Sequence, residues 1–232
     1  MAMSDDGTKI GASRRYIMSA VEDSLTRLKT DWIDLYQLHQ EDPLTPMEET
    51  LRALEDLVTQ GKVRYIGCSN LKSWQVVESQ WISKSSSITR FISCQDEYNI
   101  LNREIEHELI PAMQRYGCGL LPYFPLASGL LTGKYQSNKM PEGARLTDMP
   151  TFANRVYVTD ENFSIVEKLN AFAKQHGHSL LELAFSWMAA RPTTASIIAG
   201  ATKPEQIDAN VDAIGWKMTP EQISEVDNLS EK

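Results

Sequence analysis

Apolar runs in this chain end repeatedly in residues able to do chemistry. The ends are His39, Ser69-Asn70, Gln95, Tyr123 and Gly200. Imidazole, hydroxyl, amide and phenol groups bind polar ligands and move protons. If the runs are strands of one parallel barrel, their ends gather at the face where such barrels carry their sites.

The run before Tyr123 leads into a glycine-rich loop. The chain turns at Pro125 and continues through Gly129, Gly133 and Lys134. Glycine lets the backbone approach a phosphate closely, and lysine supplies positive charge. The stretch therefore fits a ligand site, and an ordinary strand followed by a surface loop is the alternative.

Strands and helices alternate along the chain at about 30-residue spacing, a pattern typical of parallel βαβ units. Apolar periodicity and capping residues predict helices over 13–29, 45–61, 73–84, 103–116, 159–176, 179–190, 204–214 and 220–229. Strands are predicted over 31–39, 62–70, 91–97, 119–124 and 195–200. Residues 130–158, rich in Gly, Pro, Asn and Thr, form a long excursion of the kind that is usually functional.

This pattern favours an α/β fold of the (β/α) barrel type. A doubly wound open sheet is the alternative, but it would normally carry a Gly-x-Gly-x-x-Gly turn after its first strand, and none is present. Five strands are predicted where a closed barrel has eight.

Composition narrows the functional classes. A formal net charge of -8 argues against nonspecific nucleic-acid binding. No apolar run approaches the roughly 18 residues that a membrane span needs, and the N-terminus lacks a signal pattern. Three cysteines without metal spacing predict no metal site, no disulfide and a reducing, cytoplasmic setting.

Five ordered motifs cover nearly the whole chain. They are Ser24-Leu25-x-Arg27-Leu28-x-Thr30-Asp31-x-Ile33-Asp34-Leu35-Tyr36-x-Leu38-His39, Gly61-Lys62-Val63-Arg64-Tyr65-Ile66-Gly67-x-Ser69-Asn70, Gln95-x-x-Tyr98-Asn99, Pro125-Leu126-x-x-Gly129-Leu130-Leu131-Thr132-Gly133-Lys134-Tyr135 and Ile198-x-Gly200-Ala201-Thr202-x-x-x-Gln206-x-x-x-Asn210. Together they resemble the aldo-keto reductase family, in particular bacterial reductases similar to potassium-channel β-subunits and aryl-alcohol dehydrogenases.

The resemblance implies a single NADP-dependent oxidoreductase domain over 1–232, an eight-stranded barrel in the complete family fold. It implies reduction of an aldehyde or ketone with NADPH, or less often NADH. His39 would be catalytic. Cofactor-binding residues would be Ser69, Asn70 and Gln95 at the carboxamide, Tyr123 under the nicotinamide, Pro125, Leu126, Ser128, Thr132, Lys134 and Arg145 at the pyrophosphate, and Gly200, Thr202, Lys203, Gln206 and Asn210 at the adenosine and its 2′-phosphate.

Two departures from the family pattern stand out. Phe124 occupies a place where the family commonly has serine, and a phenyl ring cannot hydrogen-bond a phosphate. Of the family's Asp, Tyr, Lys and His tetrad, only the histidine matches, as His39. Since the other three lie on the first three barrel strands, the chain is predicted to be an N-terminally truncated reductase, with about the last five strand-helix units.

Two other interpretations remain open. The chain is alternatively a catalytically inactive NADPH-binding sensor or subunit, or a fragment of a reductase that does not function alone. The sequence assigns neither a physiological substrate nor an oligomeric state.

Overall fold

The computed structural model describes residues 10–135, 142, 145–148 and 157–231. The chain divides into two compact units. The first comprises Met1–Asp96 and Glu106–Leu120, and the second Glu97–Ile105 and Leu121–Lys232. The single-domain assignment stays a prediction.

The first unit is an alternation of helices and parallel strands. Its elements are α1 (Arg14–Leu28), β1 (Ile33–Leu38), α2 (Met47–Thr59), β2 (Val63–Ser69), α3 (Ser73–Ser86), β3 (Phe91–Gln95), α4 (Leu109–Tyr116) and β4 (Gly119–Leu120). The four strands form one parallel sheet in the order β1-β2-β3-β4. This sheet confirms the predicted α/β class.

Apolar side chains placed at helical and strand spacing hold this unit together. The helix α1 begins at Ser13, whose hydroxyl accepts the Tyr16 N–H, and it buries Ile17, Val21 and Leu25. The largest fully buried side chains of the unit are Leu51, Leu54, Leu57, Ile66, Phe91, Met113 and Leu120. Burying each stabilises the fold by about 1.5–3 kcal/mol relative to exposure.

Two predicted elements of this unit are shorter than expected. The fourth strand ends at Leu120, and Pro122 follows without an N–H to donate to a ladder. The predicted helix over 103–116 is a 3₁₀ turn, Glu104–Glu106, followed by α4. It is interrupted because Glu108 has a non-helical backbone, with φ -132° and ψ -46°.

The second unit is built mainly from helices. They are α5 (Arg145–Asp148), α6 (Asp160–Gln175), α7 (Leu180–Ala189), α8 (Pro204–Asp212) and α9 (Pro220–Leu229), with 3₁₀ segments at Ala127–Thr132 and Ala213–Gly215. Side-chain caps define several starts. Ser179 and Glu182 form a capping box on α7, and Thr219 and Gln222 form one on α9.

The predicted fifth strand over 195–200 is wrong. The structure assigns no strand there, and Ile198 N–H donates a single backbone hydrogen bond, to Pro122 O at 2.9 Å. A strand needs a repeating ladder of such bonds with a neighbour. The apolar run is therefore an irregular segment, with Ile198 41% exposed.

Within the described ranges, no helix has the length and apolarity needed to cross a membrane. Over the same ranges no group of three or more His, Cys, Asp or Glu side chains is arranged to hold a metal ion. Much of the predicted 130–158 excursion lies outside the described residues, namely 136–141, 143–144 and 149–156.

Candidate cofactor and catalytic site

Polar side chains meet at the carboxyl ends of β2 and β3. Ser69 donates its hydroxyl to Gln95 O at 2.7 Å, and Asn70 Nδ2 donates to Ser69 Oγ at 2.8 Å. Asn70 Nδ2 also donates to His39 O at 3.1 Å. The first unit thus brings together all four residues that the sequence predicts for this end of the site.

Asn70 lies in the left-handed region, with φ +56°. Asparagine tolerates this conformation better than most residues, and here its amide hydrogens go to His39 O, just after β1, and to Ser69 Oγ on β2. The turn fixes where the Asn70 side chain points. An amide whose hydrogens are donated offers a ligand the acceptor capacity of its oxygen, which has two lone pairs.

His39 follows β1 and is exposed. It lines a cavity of about 430 Å³ whose other walls include Tyr16, Tyr36, Glu41 and Leu54. Burial, followed by the nearby Tyr16, raises the pKa of Tyr36, while Arg27 lowers it by less. The Tyr36 hydroxyl is therefore a weaker acid than a solvated tyrosine.

Asp96, directly after β3, is a buried carboxyl that was not predicted from the sequence. It is 7% exposed, and burial raises its pKa to about 7, against a lowering by the hydrogen bond from the Asn70 backbone N–H. A titratable side chain thus accepts a hydrogen bond from the backbone of Asn70. An acidic residue immediately after an apolar strand was the available signal.

The second unit carries the predicted stacking aromatic and the glycine-rich loop. Tyr123 is half-buried, and its ring lies edge-on to Phe124 with centroids 5.2 Å apart. Three non-glycine residues of the loop have positive φ: Phe124 at 52°, Ala127 at 47° and Ser128 at 57°. Backbone strain of this kind concentrates at functional sites.

The loop buries a hydroxyl that has no hydrogen-bond partner among the described residues. Ser128 is 7% exposed, and its Oγ is one of the buried side-chain atoms left unpaired. Leaving a buried hydroxyl unpaired costs free energy, so such an atom calls for an explanation, and a ligand oxygen is one. Lys134 adds a cation to this loop. Its Nζ lies beside Gly129, 3.6 Å from the position that a Cβ on that glycine would occupy.

Other predicted residues of the loop have structural contacts. Thr132 Oγ1 donates to Gly129 O at 2.7 Å and so closes the turn. Pro125 is buried and Leu126 half-buried, and Leu126 O accepts the Gly129 N–H at 2.7 Å. Arg145 begins α5, but its side chain lies outside the described part of the chain.

A hydrogen-bond network anchors this loop. Asn99 Nδ2 donates to Phe124 O at 3.0 Å and to the Tyr157 hydroxyl at 2.9 Å, and that hydroxyl donates to Glu97 Oε1. Burial and then the bond to Glu97 raise the Tyr157 pKa, with Asn99 opposing them. Asn99 is fully buried, so its amide anchors the loop from within the packed interior of the unit.

The segment predicted to hold the adenosine end leads into α8. Thr202 donates its backbone N–H to Gln206 Oε1 at 2.7 Å, and Lys203 is the exposed N-cap before Pro204. Gly200 is exposed, and Asn210 lines a second cavity of about 460 Å³ with mostly apolar walls. The Ile198–Pro122 hydrogen bond sets this segment beside the chain that leads into Tyr123.

A second polar residue of the first unit, besides Asp96, was missed from the sequence. Gln37 on β1 donates Nε2 to Gln95 Oε1 at 2.8 Å. It lies two residues before His39, so strand alternation places both on one face. That spacing was the signal available.

Comparison with known proteins agrees with this arrangement. A sequence model of the Aldo/keto reductase family matches residues 3–231. The chain is 36% identical to a probable voltage-gated potassium channel subunit beta of Oryza sativa subsp. japonica, over 94% of this chain and 67% of that protein. It is 38% identical to a putative aryl-alcohol dehydrogenase of Schizosaccharomyces pombe, over 92% and 59%. It is 33% identical to an L-glyceraldehyde 3-phosphate reductase of Escherichia coli O157:H7, over 94% and 64%.

The chain belongs to the aldo/keto reductase family. Its four parallel strands agree with part of the (β/α)₈ barrel that this family implies. The chain spans 67%, 59% and 64% of the lengths of the three relatives named above.

Proposed function

We propose that this chain binds NADPH, in preference to NADH, and serves the reduction of an aldehyde or ketone to an alcohol. The observation that carries the proposal is the hydrogen-bonded set Ser69, Asn70 and Gln95 at the ends of two neighbouring strands. A primary carboxamide has one acceptor oxygen and one donor amino group, and this set offers it both kinds of partner. Family membership and the reductase name of a relative support the same activity.

The second unit supplies further support. The unpaired, buried Ser128 hydroxyl and the Lys134 cation suit pyrophosphate oxygens. Lys203 and Gln206, at the start of α8, would take the adenosine 2′-phosphate, where backbone N–H groups favour anions. The cation at this place is the reason for preferring NADPH.

The bound cofactor would supply hydride to the substrate carbonyl. In the first unit, Asn70 and Gln95 would hold the carboxamide. In the second unit, the half-buried Tyr123 ring would be the aromatic surface on which a nicotinamide ring stacks. The exposed His39 imidazole would orient the substrate carbonyl by hydrogen bonding.

Three buried free thiols, Cys68, Cys94 and Cys118, fit the proposed cytoplasmic location.

A second candidate function is a nucleotide-binding subunit without turnover. The raised pKa of Tyr36, which lines the same cavity as His39, makes its hydroxyl a poor proton donor at neutral pH. One relative is named as a channel subunit rather than an enzyme. Turnover of a carbonyl substrate by the chain separates the two functions, because both include cofactor binding.

Titration of the chain with NADPH, followed by tryptophan fluorescence, tests the proposal. We expect saturable binding that Asn70→Gly weakens about tenfold, the effect of losing one or two hydrogen bonds to the ligand. Glycine suits the positive φ of residue 70, so the change removes the side chain without straining the turn. Lys29→Gly is the matched control, because Lys29 has the same φ of +56° at the end of α1.

Each outcome of this titration is informative. Loss of affinity in the Asn70 variant alone supports the carboxamide assignment. Saturable binding with no turnover of any aldehyde or ketone favours the subunit function. A folded chain that does not bind NADPH contradicts both.

A further inference from the structure

Gln37 reaches across a whole strand to Gln95. The sheet order puts β2 between β1 and β3, and Gln37 is paired in register with Gly67 of β2. A Cβ on Gly67 would overlap Ser93 Oγ and stand 3.1 Å from Gln37 Oε1. The absence of a side chain at Gly67 therefore lets side chains from β1 and β3 meet above β2.

The hydrogen bonds above Gly67 form a chain from Ser93 through Gln37 to Gln95. Ser93 Oγ donates to Gln37 Oε1 at 3.5 Å, and Gln37 Nε2 donates to Gln95 Oε1 at 2.8 Å. A carboxamide side chain that accepts through its oxygen turns its amino group the other way. Gln95 therefore presents Nε2, a donor, toward a ligand at the strand ends.

We infer that Gln37 is a positioning residue that sets the polarity of Gln95 for a primary carboxamide ligand. The Gln95 amino group would donate to the carboxamide oxygen, and Asn70, whose Nδ2 hydrogens go to His39 O and Ser69 Oγ, would accept from the carboxamide nitrogen. The inference rests on the proposed function and adds to it one residue and one orientation. Gln37 would act on the ligand only through Gln95.

Two substitutions of similar size distinguish polarity from packing. In Gln37→Glu the carboxylate accepts hydrogen bonds only, so Gln95 must rotate its amide and present its oxygen to the ligand. In Gln37→Met the residue donates nothing, and Gln95 is left without a fixed orientation. A packing role predicts the opposite order, because glutamate has nearly the shape of glutamine and methionine does not.

The experiment measures NADPH affinity by fluorescence titration for the unaltered chain and both variants, with thermal melts to verify folding. We expect Gln37→Met to weaken binding about threefold to fivefold and Gln37→Glu about tenfold to thirtyfold. Only the glutamate variant should begin to regain affinity as the pH falls from 7 toward about 5, because a glutamate carboxyl protonates around pH 4.3 and only then becomes a donor to Gln95. Gln40→Glu, an exposed site three residues along, controls for the added charge.

Binding by the unaltered chain, with Gln37→Glu no weaker than Gln37→Met, overturns this inference and leaves the proposed function standing. No binding by the unaltered chain overturns the proposed function itself. If the glutamate variant does not fold, the methionine variant still decides the matter, since affinity equal to that of the unaltered chain shows that Gln37 positions nothing.

Discussion

Replacing Asp96 with asparagine is expected to stabilise the chain by about 2–4 kcal/mol at pH 8.5, and by about 1 kcal/mol or less at pH 4.5. Asp96 is 7% exposed and follows β3, where burial raises its pKa to about 7. Above that pH the native protein holds a buried charge. Asparagine keeps an oxygen that accepts the Asn70 N–H but carries no charge.

The direction of this change in folding stability with pH follows from proton linkage. In the unfolded chain the carboxyl titrates near 3.8, so between that pH and about 7 the native state retains a proton that the unfolded state has released. The contribution of Asp96 to stability is therefore fully present below pH 3.8 and is lost progressively as the pH rises to about 7. Asparagine removes this loss.

Urea unfolding of both chains at the two pH values measures the effect. Asp31→Asn is the matched control, because Asp31 is an exposed aspartate of the same unit. A stabilisation of equal size at both pH values would show that Asp96 does not titrate between them. Destabilisation at pH 8.5 would mean that the ionised carboxylate is needed by its neighbours.

The ends of the first three strands could be predicted from the sequence because each apolar run stops at a polar residue. β1, β2 and β3 lie within the predicted runs, and His39, Asn70 and Gln95 accordingly come together. The run at 195–200 has the same local pattern. A strand also needs a hydrogen-bonded neighbour, however, and the local sequence does not encode one.

The polar contacts of Gln37 depend on register rather than on residue type. The pairing of β2 with β3 shifts between Ile66 and Cys68, and this shift accompanies the contact of Ser93 with the Gly67 position. Such an irregularity depends on both strands at once and leaves no periodic signal in either. Asp96 was missed for a related reason, because its burial is set by the residues that pack on it.

Removing the side chain of Asp227 by Asp227→Ala is expected to destabilise the second unit by about 2–3 kcal/mol. Asp227 Oδ1 accepts from Trp187 Nε1 at 2.8 Å and from Arg191 Nη2, and lies 3.5 Å from Arg103 Nη1. The side chains of Asp227, Arg191 and Arg103 are 23%, 19% and 25% exposed. Partial exposure screens the charges, which places the cost below that of a fully buried pair.

The contacts of Asp227 with Trp187 and Arg191 attach α9 to α7, the helix that precedes Arg191. The guanidinium carbon of Arg191 lies 4.1 Å from the centroid of the Trp187 ring, and Trp187 is fully buried. Without the Asp227 carboxylate, the Arg191 cation stays stacked on the buried Trp187 indole and lacks its anionic partner. The charge left in place, rather than the hydrogen bonds lost, makes this substitution costly.

Two further variants separate these causes, each measured by urea unfolding at pH 7. Asp227→Asn keeps an oxygen that accepts the Trp187 N–H. It should cost about 1 kcal/mol, because neutral hydrogen bonds to the amide oxygen replace stronger ones to the charged carboxylate. Adding Arg191→Met to Asp227→Ala removes the stranded cation, so the double variant should be more stable than Asp227→Ala alone. If the double variant is less stable than Asp227→Ala alone, Arg191 stabilises the unit through its packing on Trp187 rather than through Asp227.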